Sequence, residues 1–373
     1  MNFIKKLEKS YPVIFYFLIF LILFIFINKL SKNFLNQTKL EKKELPEYLE
    51  RVYGIENVDD YQKVFKEQTI PFNYKPFVDF GELERTKEFT IVGKEGNRCN
   101  FNDFDKCRNP QGGENEIWIF GGSTTFGYGL KNDETISAHL QNLLLNKFNV
   151  INFGSGYYYS TQERILLNNL LTKIDPPYAI VFIDGFNDLI REFKLNETAF
   201  TQSVKYKMGK TSSDDLKEYL FERIIRLNLV KLIKQIFFDN KKDNKENLKS
   251  SLEINFTEKD ISKNIDILVN NQKINKGVSE IYNFDLLQIL QPVPIYKDSY
   301  DTSDIPSDYH INNLKDVNFL KLKLGYELYL RNKPNYVLDL SNLKIKNSMY
   351  IDGAHYSSMF NLEIARQIKQ NLF

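Results

Sequence analysis

Two apolar rhythms run through this chain, a continuous one near its start and an alternating one from about residue 116 onward. From Val13 to Ile27 every position is apolar or aromatic (VIFYFLIFLILFIFI), and no charge stands between Lys9 and Lys29. With its flanks the run reaches the roughly 18–20 residues that a helix needs to cross a bilayer. The segment leaves through Asn28-Lys29-Leu30-Ser31-Lys32, with no small-residue cleavage site. An uncleaved transmembrane signal anchor over 11–30, behind a short tail at 1–10, is therefore expected. Lysines flank it on both sides, Lys5, Lys6 and Lys9 before and Lys29, Lys32, Lys39, Lys42 and Lys43 after. The positive-inside rule alone does not orient it.

The second rhythm begins at residue 116. Glu116–Phe120 (EIWIF) predicts a short strand ending in a glycine turn, and Asp133 is placed to cap a helix with Ile136, Leu140, Leu143 and Leu144 on one face. The unit repeats as strand Phe148–Phe153, helix Gln162–Lys173 with Ile165, Leu166 and Leu170 inward, and strand Tyr178–Ile183. It resumes as helix 257–276, strand Leu286–Leu290 closed by Gln291-Pro292, helix 311–331, strand Tyr336–Leu340 and helix 359–372. Strands alternating with helices predict an α/β fold, a five-stranded parallel sheet covered on both faces, within a domain at 114–373. Residues 190–280 interrupt the rhythm. There Leu216, Leu220, Ile224, Leu227, Val230 and Ile233 form one stripe of an amphipathic stretch (Asp214–Phe238), followed by a polar run at 239–251. An inserted helical cap or lid is expected. Residues 31–113 read as a polar linker with short helical pieces, then from 71 as a loop-rich lead-in with a strand near Phe89–Val92.

Composition narrows the classes. Fifty Lys and Arg stand against 48 Asp and Glu, so no strong field draws the chain to nucleic acid. Twenty-two Tyr and 30 Phe argue for a packed core rather than disorder. Cys99 and Cys107 lie in a polar loop without the spacing of a structural zinc site. They read either as one local disulfide in an oxidising compartment or as two free thiols.

Candidate chemistry sits in the turns after the strands. Gly121-Gly122-Ser123-Thr124-Thr125-Phe126-Gly127 follows the first strand, at the sheet edge where open α/β sheets bind ligands. A phosphate-binding loop is excluded, because Tyr128-Gly129 stands where Lys and Ser/Thr are needed. Asn152-Phe153-Gly154-Ser155-Gly156 and Asp184-Gly185-Phe186-Asn187-Asp188 close the next two strands and bring neutral N–H donors to the same edge. Each alone is also an ordinary turn. Of three histidines, His139 falls in a helix and His310 in a polar loop, and both read as packing or surface residues. His355 differs, since Asp352 stands three residues before it, the arrangement in which an acid fixes the tautomer of a general base.

Taken together, Ser123, Gly154 or Gly156, Asn187 and Asp352/His355 occur in an order that resembles the SGNH (GDSL-like) hydrolase superfamily. Gly185-Phe186-Asn187-Asp188 and Asp352-Gly353-Ala354-His355 match two of its four blocks fully, and residues 116–188 and 281–372 cover the resemblance. Gly122 departs from it, standing where many members carry Asp. The resemblance implies a three-layer α/β/α, flavodoxin-like fold. It further implies Ser123 as nucleophile, His355 as base and then acid, and Asp352 orienting it. The Ser123 amide, Gly156 and Asn187 would be the oxyanion donors, and neither cofactor nor metal is required. The expected activity is hydrolysis of acyl esters, on acylated carbohydrate or a small ester, by an extracytoplasmic domain tied to the bilayer through 11–30. Transfer of the acyl group to a sugar hydroxyl would use the same site. A non-catalytic binding protein is the remaining reading, with Tyr157, Tyr158 and Tyr159 stacking on sugars.

Overall fold

A computed structural model of the 373-residue chain describes residues 16, 20, 23–31, 52–53, 57–69, 72–145, 147–190, 258–294, 317–343 and 350–373. The chain divides into two units, Met1–Glu44 with Thr201–Asn255, and Leu45–Phe200 with Phe256–Phe373. Of the first unit only residues 16, 20 and 23–31 are described, all helical, with Leu23, Ile25, Phe26, Ile27 and Leu30 exposed. Among the described residues no helix is long and apolar enough to cross a membrane. The remainder of the span expected at 11–30 lies outside the described residues, as do the stretch Asp214–Phe238, the polar run after it and His310.

The second unit opens with helix α1 (Val58–Gln68) and two antiparallel hairpins, β1 (Asn73–Lys75) with β2 (Asp79–Gly81) and β3 (Arg85–Thr86) with β4 (Ile91–Val92). The alternating part then runs β5 (Gly113–Gly121), α2 (Ser123–Phe126), α3 (Ile136–Leu143), β6 (Asn149–Asn152), α4 (Ser160–Leu171), β7 (Pro177–Asp184) and α5 (Phe186–Ile190). It continues with α6 (Glu258–Tyr282), β8 (Asp285–Leu290), α7 (Val317–Asn332), β9 (Val337–Asp339) and α8 (Ser358–Leu372). All five long-range strands pair in parallel, in the order β6-β5-β7-β8-β9. Counted within the sheet this is 2-1-3-4-5, the flavodoxin-like order, which reverses direction between β5 and β7.

Strand alternation decides which residues each layer receives. Ile117, Ile119, Val181 and Ile183 point to a layer made by α3 and α8, through Ile136, Leu140, Phe360 and Ile364. Trp118, Phe120, Ile180 and Phe182 point the other way, onto Leu166, Leu167 and Leu170 of α4. Further along that face, α6 and α7 close over Leu290 and Val337 with Ile261, Leu268, Leu322 and Tyr326. The molecule has three layers, α/β/α. Leu167 and Leu171 join Leu166 and Leu170 on the inner face of α4, and Ile165 is partly buried against the same cluster.

Two local expectations are corrected. Helix α3 is capped by Thr135, whose hydroxyl accepts from the Ala138 amide, while Asp133 lies in a preceding 3-10 turn. The described residues between 52 and 113 are built into the unit rather than leading to it. Tyr53, Tyr61 and Val64 pack with Leu130 and Ile351 in a small core of their own, beside the turns that carry the candidate site.

Candidate active site

The three triad candidates meet. Ser123 opens α2 immediately after β5, because Gly122 leaves the strand extended and the chain turns at once into helix. Its carbonyl takes the amides of Gly127 and Tyr128, which close the turn at 3.0 Å each. At the other end of the chain, the Asp352 Oδ1 atom accepts from the amides of Ala354 and His355, both at 2.8 Å. That tight turn sets the ring. His355 Nδ1 lies 2.7 Å from Asp352 Oδ2, and Nε2 lies 2.8 Å from Ser123 Oγ across 232 positions of sequence. An ionised carboxylate only accepts, so Nδ1–H donates to Asp352 and Nε2 is left to accept the Ser123 proton.

Electrostatics favour that assignment. Burial alone would raise the Asp352 carboxyl, but the neighbouring imidazole and the hydrogen bonds from His355 and Ala354 outweigh it and hold it at about 2. The Tyr128 ring lies 4.8 Å from the His355 ring, supported by Phe65 of α1 at 5.7 Å. Neither aromatic was singled out in the sequence, since nothing local to them marks a contact over such separations.

The donors are placed less evenly. Asn187 Nδ2 donates to the Tyr158 carbonyl at 2.6 Å, and a carboxamide has a second N–H to give. A Cβ added at Gly122 would lie 2.6 Å from that nitrogen, so the absence of a side chain before Ser123 admits the Asn187 amide to the nucleophile turn. The Ser123 amide, as the first N–H of a helix, has no intrahelical acceptor. Gly156 is the correction. Its amide donates to Glu82 Oε1 at 3.1 Å, and a carboxylate in that position would repel a developing oxyanion. Gly154 does not replace it, because its amide donates to Asn152 Oδ1 at 2.9 Å. A Cβ at Gly154 would come within 2.3 Å of the Phe126 amide, so this glycine serves close packing of strand end against α2.

The surroundings hold residues that the sequence pattern did not indicate. Arg98 is fully buried and its guanidinium donates to the carbonyls of Phe126 (2.7 Å), Gly127 (2.6 Å) and Leu130, and to Asn132 Oδ1 (3.3 Å). It gathers the carbonyls at the C-terminal end of α2 and the loop after it, and burial pushes it down to about 9. Cys99, next to it, is joined to Cys107 in a disulfide. Gln68 and Tyr53 take both polar groups of Gly129. The one foreshadowing signal was the cysteine beside Arg98. Asp188, which ends the third motif, accepts from the Ser160 amide (3.1 Å) and hydroxyl (2.6 Å), so the motif is tied to the start of α4. His139 contacts the Ser358 hydroxyl at 3.1 Å, away from the triad partners.

No family model and no curated protein matches the chain in sequence. Solved structures similar to it include an acetyl xylan esterase, AlAXEase (16% identity, 69% of this chain and 100% of that one, TM-score 0.35). Another is a carbohydrate acetylesterase family member from Sinorhizobium meliloti (15%, 69% and 98%, TM-score 0.34). A third is a member of the lipolytic protein G-D-S-L family from Veillonella parvula DSM 2008 (12%, 69% and 97%, TM-score 0.33). At that distance the likeness carries no functional argument. The chemistry has to be read from the site's own geometry.

The arrangement can move a proton from a hydroxyl to an imidazole whose charge a fixed carboxylate offsets, with two N–H groups beside the hydroxyl. These are the requirements of acyl transfer through a covalent intermediate.

Proposed function

We propose that this chain is a serine esterase of the SGNH type, cleaving acyl esters through an acyl-enzyme, with acylated glycans outside the cytoplasm as its substrate class. The observation that carries the reading is the unbroken hydrogen-bond line from Ser123 Oγ through His355 to Asp352. Ser123 Oγ attacks the ester carbonyl as His355 Nε2 takes its proton, and the carbonyl oxygen becomes an oxyanion facing the Ser123 amide and the free N–H of Asn187. Collapse breaks the ester C–O bond, and the imidazolium returns the proton to the departing alcohol. Water, deprotonated by the same nitrogen, then releases the acid and restores the serine. Asp352 keeps Nδ1 protonated throughout and is not itself protonated.

The extracytoplasmic placement draws support from the Cys99–Cys107 bond, since such bonds persist in oxidising compartments. The apolar run at 11–30 supports attachment to a bilayer. Recovery of the full chain in the membrane fraction after a high-salt wash, against release of a variant lacking 1–30, checks the attachment.

A fluorophosphonate probe followed by mass spectrometry tests the chemistry. One adduct on Ser123, absent from Ser123→Ala, is expected, and labelling at another residue overturns the assignment. Running the reaction with an acceptor sugar and assaying both free acid and new ester separates hydrolysis from acyl transfer.

A further inference from the structure

Of the three consecutive tyrosines beside the site, packing accounts for one and leaves another unexplained. Tyr158 is buried, its hydroxyl donating to the Phe80 carbonyl and its ring lying 5.6 Å from that of Phe80. Tyr159 is half-buried. Tyr157 is 75% exposed and sits at φ +63°, a left-handed conformation that a bulky aromatic residue adopts only at a cost. Neither the backbone nor burial rewards an aromatic ring there. A residue held against its local preference, with its side chain in solvent, points to something bound.

Its position connects it to the reacting serine. Gly122 precedes Ser123 and admits Asn187 Nδ2, which in turn donates to the carbonyl of Tyr158, the next residue after Tyr157. The Phe72 ring, ahead of β1 and itself 36% exposed, meets Tyr157 edge-on at 5.9 Å and is backed by Phe80 at 5.0 Å. Phe72 thus braces Tyr157. The result is an exposed aromatic ring one residue removed from a carbonyl that accepts from the Asn187 side chain.

We propose that Tyr157, braced by Phe72, is the platform on which the pyranose ring bearing the scissile acyl group stacks, making these two residues determinants of specificity. The inference rests on the esterase reading above and adds to it the means by which sugar is recognised. A sugar ring presents an apolar C–H face, and a flat, solvent-facing aromatic ring matches it. An alkyl chain gains more from an enclosed apolar slot than from an open face.

The test compares an acetylated methyl xylopyranoside with vinyl acetate, which has no ring. Tyr157→Ala should raise KM for the pyranoside about 3–10-fold, the range expected for one lost aromatic contact, with kcat within about twofold. Vinyl acetate kinetics should not move. Tyr157→Phe should keep wild-type KM, Phe72→Ala should show a weaker version of the Tyr157→Ala effect, and Leu145→Ala should change nothing. Leu145 is the control because it is 77% exposed just before β6, at the opposite edge of the sheet. Equal losses on both esters, no change on the pyranoside, or a selective loss on a long-chain vinyl ester would each overturn the platform. Binding separates this inference from the one it rests on. Saturation-transfer NMR on Ser123→Ala should detect the pyranoside, and the signal should vanish in Ser123→Ala/Tyr157→Ala. A wild-type protein that cleaves neither ester but binds sugar through Tyr157 would refute the esterase and retain the platform.

Discussion

Asp352 has one task that its environment defines. Two backbone amides and the His355 ring hold its charge, so its carboxyl, at about 2, stays ionised until pH falls through that value. Its stabilising contribution is present above the ordinary carboxyl value and lost only in strong acid. Asp352→Asn keeps the shape but offers Nδ1 the wrong partner, and a fall in kcat of about 10⁴ is expected in steady-state assays with the fold intact by circular dichroism. Gly122 gives a second prediction at this scale. A methyl there meets only the end of the Asn187 side chain and the Tyr158 carbonyl, at 2.6 and 3.2 Å, so the protein can fold around it. The shifted Asn187 loses its aim, and Gly122→Ala should lower kcat about 10²–10³-fold while leaving the melting temperature nearly unchanged.

Among the elements, α2 is only four residues long and cannot hold itself. Arg98 does much of that work from outside, with three carbonyls and an amide oxygen on one guanidinium. Arg98→Met leaves those buried acceptors without donors, and a loss of at least about 3 kcal/mol in urea unfolding is expected. Arg98→Lys should recover only part of it, because an ammonium lacks the planar fork. On the opposite face, Glu163 of α4 and Asp184 of β7 are buried side by side, with Asp188 near both. Burial first, then a neighbouring acid, Asp184 for Glu163 and Asp188 for Asp184, raises both carboxyls. Because the folded values lie above the unfolded ones, the stability they contribute is complete below the ordinary carboxyl range and is lost as pH rises through the raised values. The melting temperature of the wild type should therefore fall as pH rises above the ordinary carboxyl range, and Glu163→Gln should flatten that slope.

At the scale of the whole unit, the segment before β5 behaves as part of the domain. Phe65 supports Tyr128 against His355, Gln68 and Tyr53 hold Gly129, Glu82 occupies the Gly156 amide, and Arg98 braces α2. The Cys99–Cys107 bond closes a short loop beside Arg98. Replacing both cysteines by Ser should cost about 2–3 kcal/mol in urea unfolding. It should also slow fluorophosphonate labelling of Ser123, since Arg98 stands next to the loosened loop.

How much of this was legible follows from how far apart the interacting residues are in the chain. The five strands and their order of appearance could be read because alternation and glycine turns are local, and so could Asp352 with His355, three positions apart. Ser123 was legible as the hydroxyl in the first turn, though its partner lies 232 positions away. The amide of Gly156 was not, since its direction depends on Glu82, 74 positions earlier, and backbone pattern says nothing of such a contact. Arg98, Gln68 and Tyr128 escaped notice for the same reason. Sequence alone therefore determined the periods, the turns and the chemical inventory, because these depend on neighbours along the chain. Only the tertiary structure decided which amides remain open, what holds the nucleophile turn and which tyrosine faces solvent, because each of these is settled by packing between segments that the chain itself keeps apart.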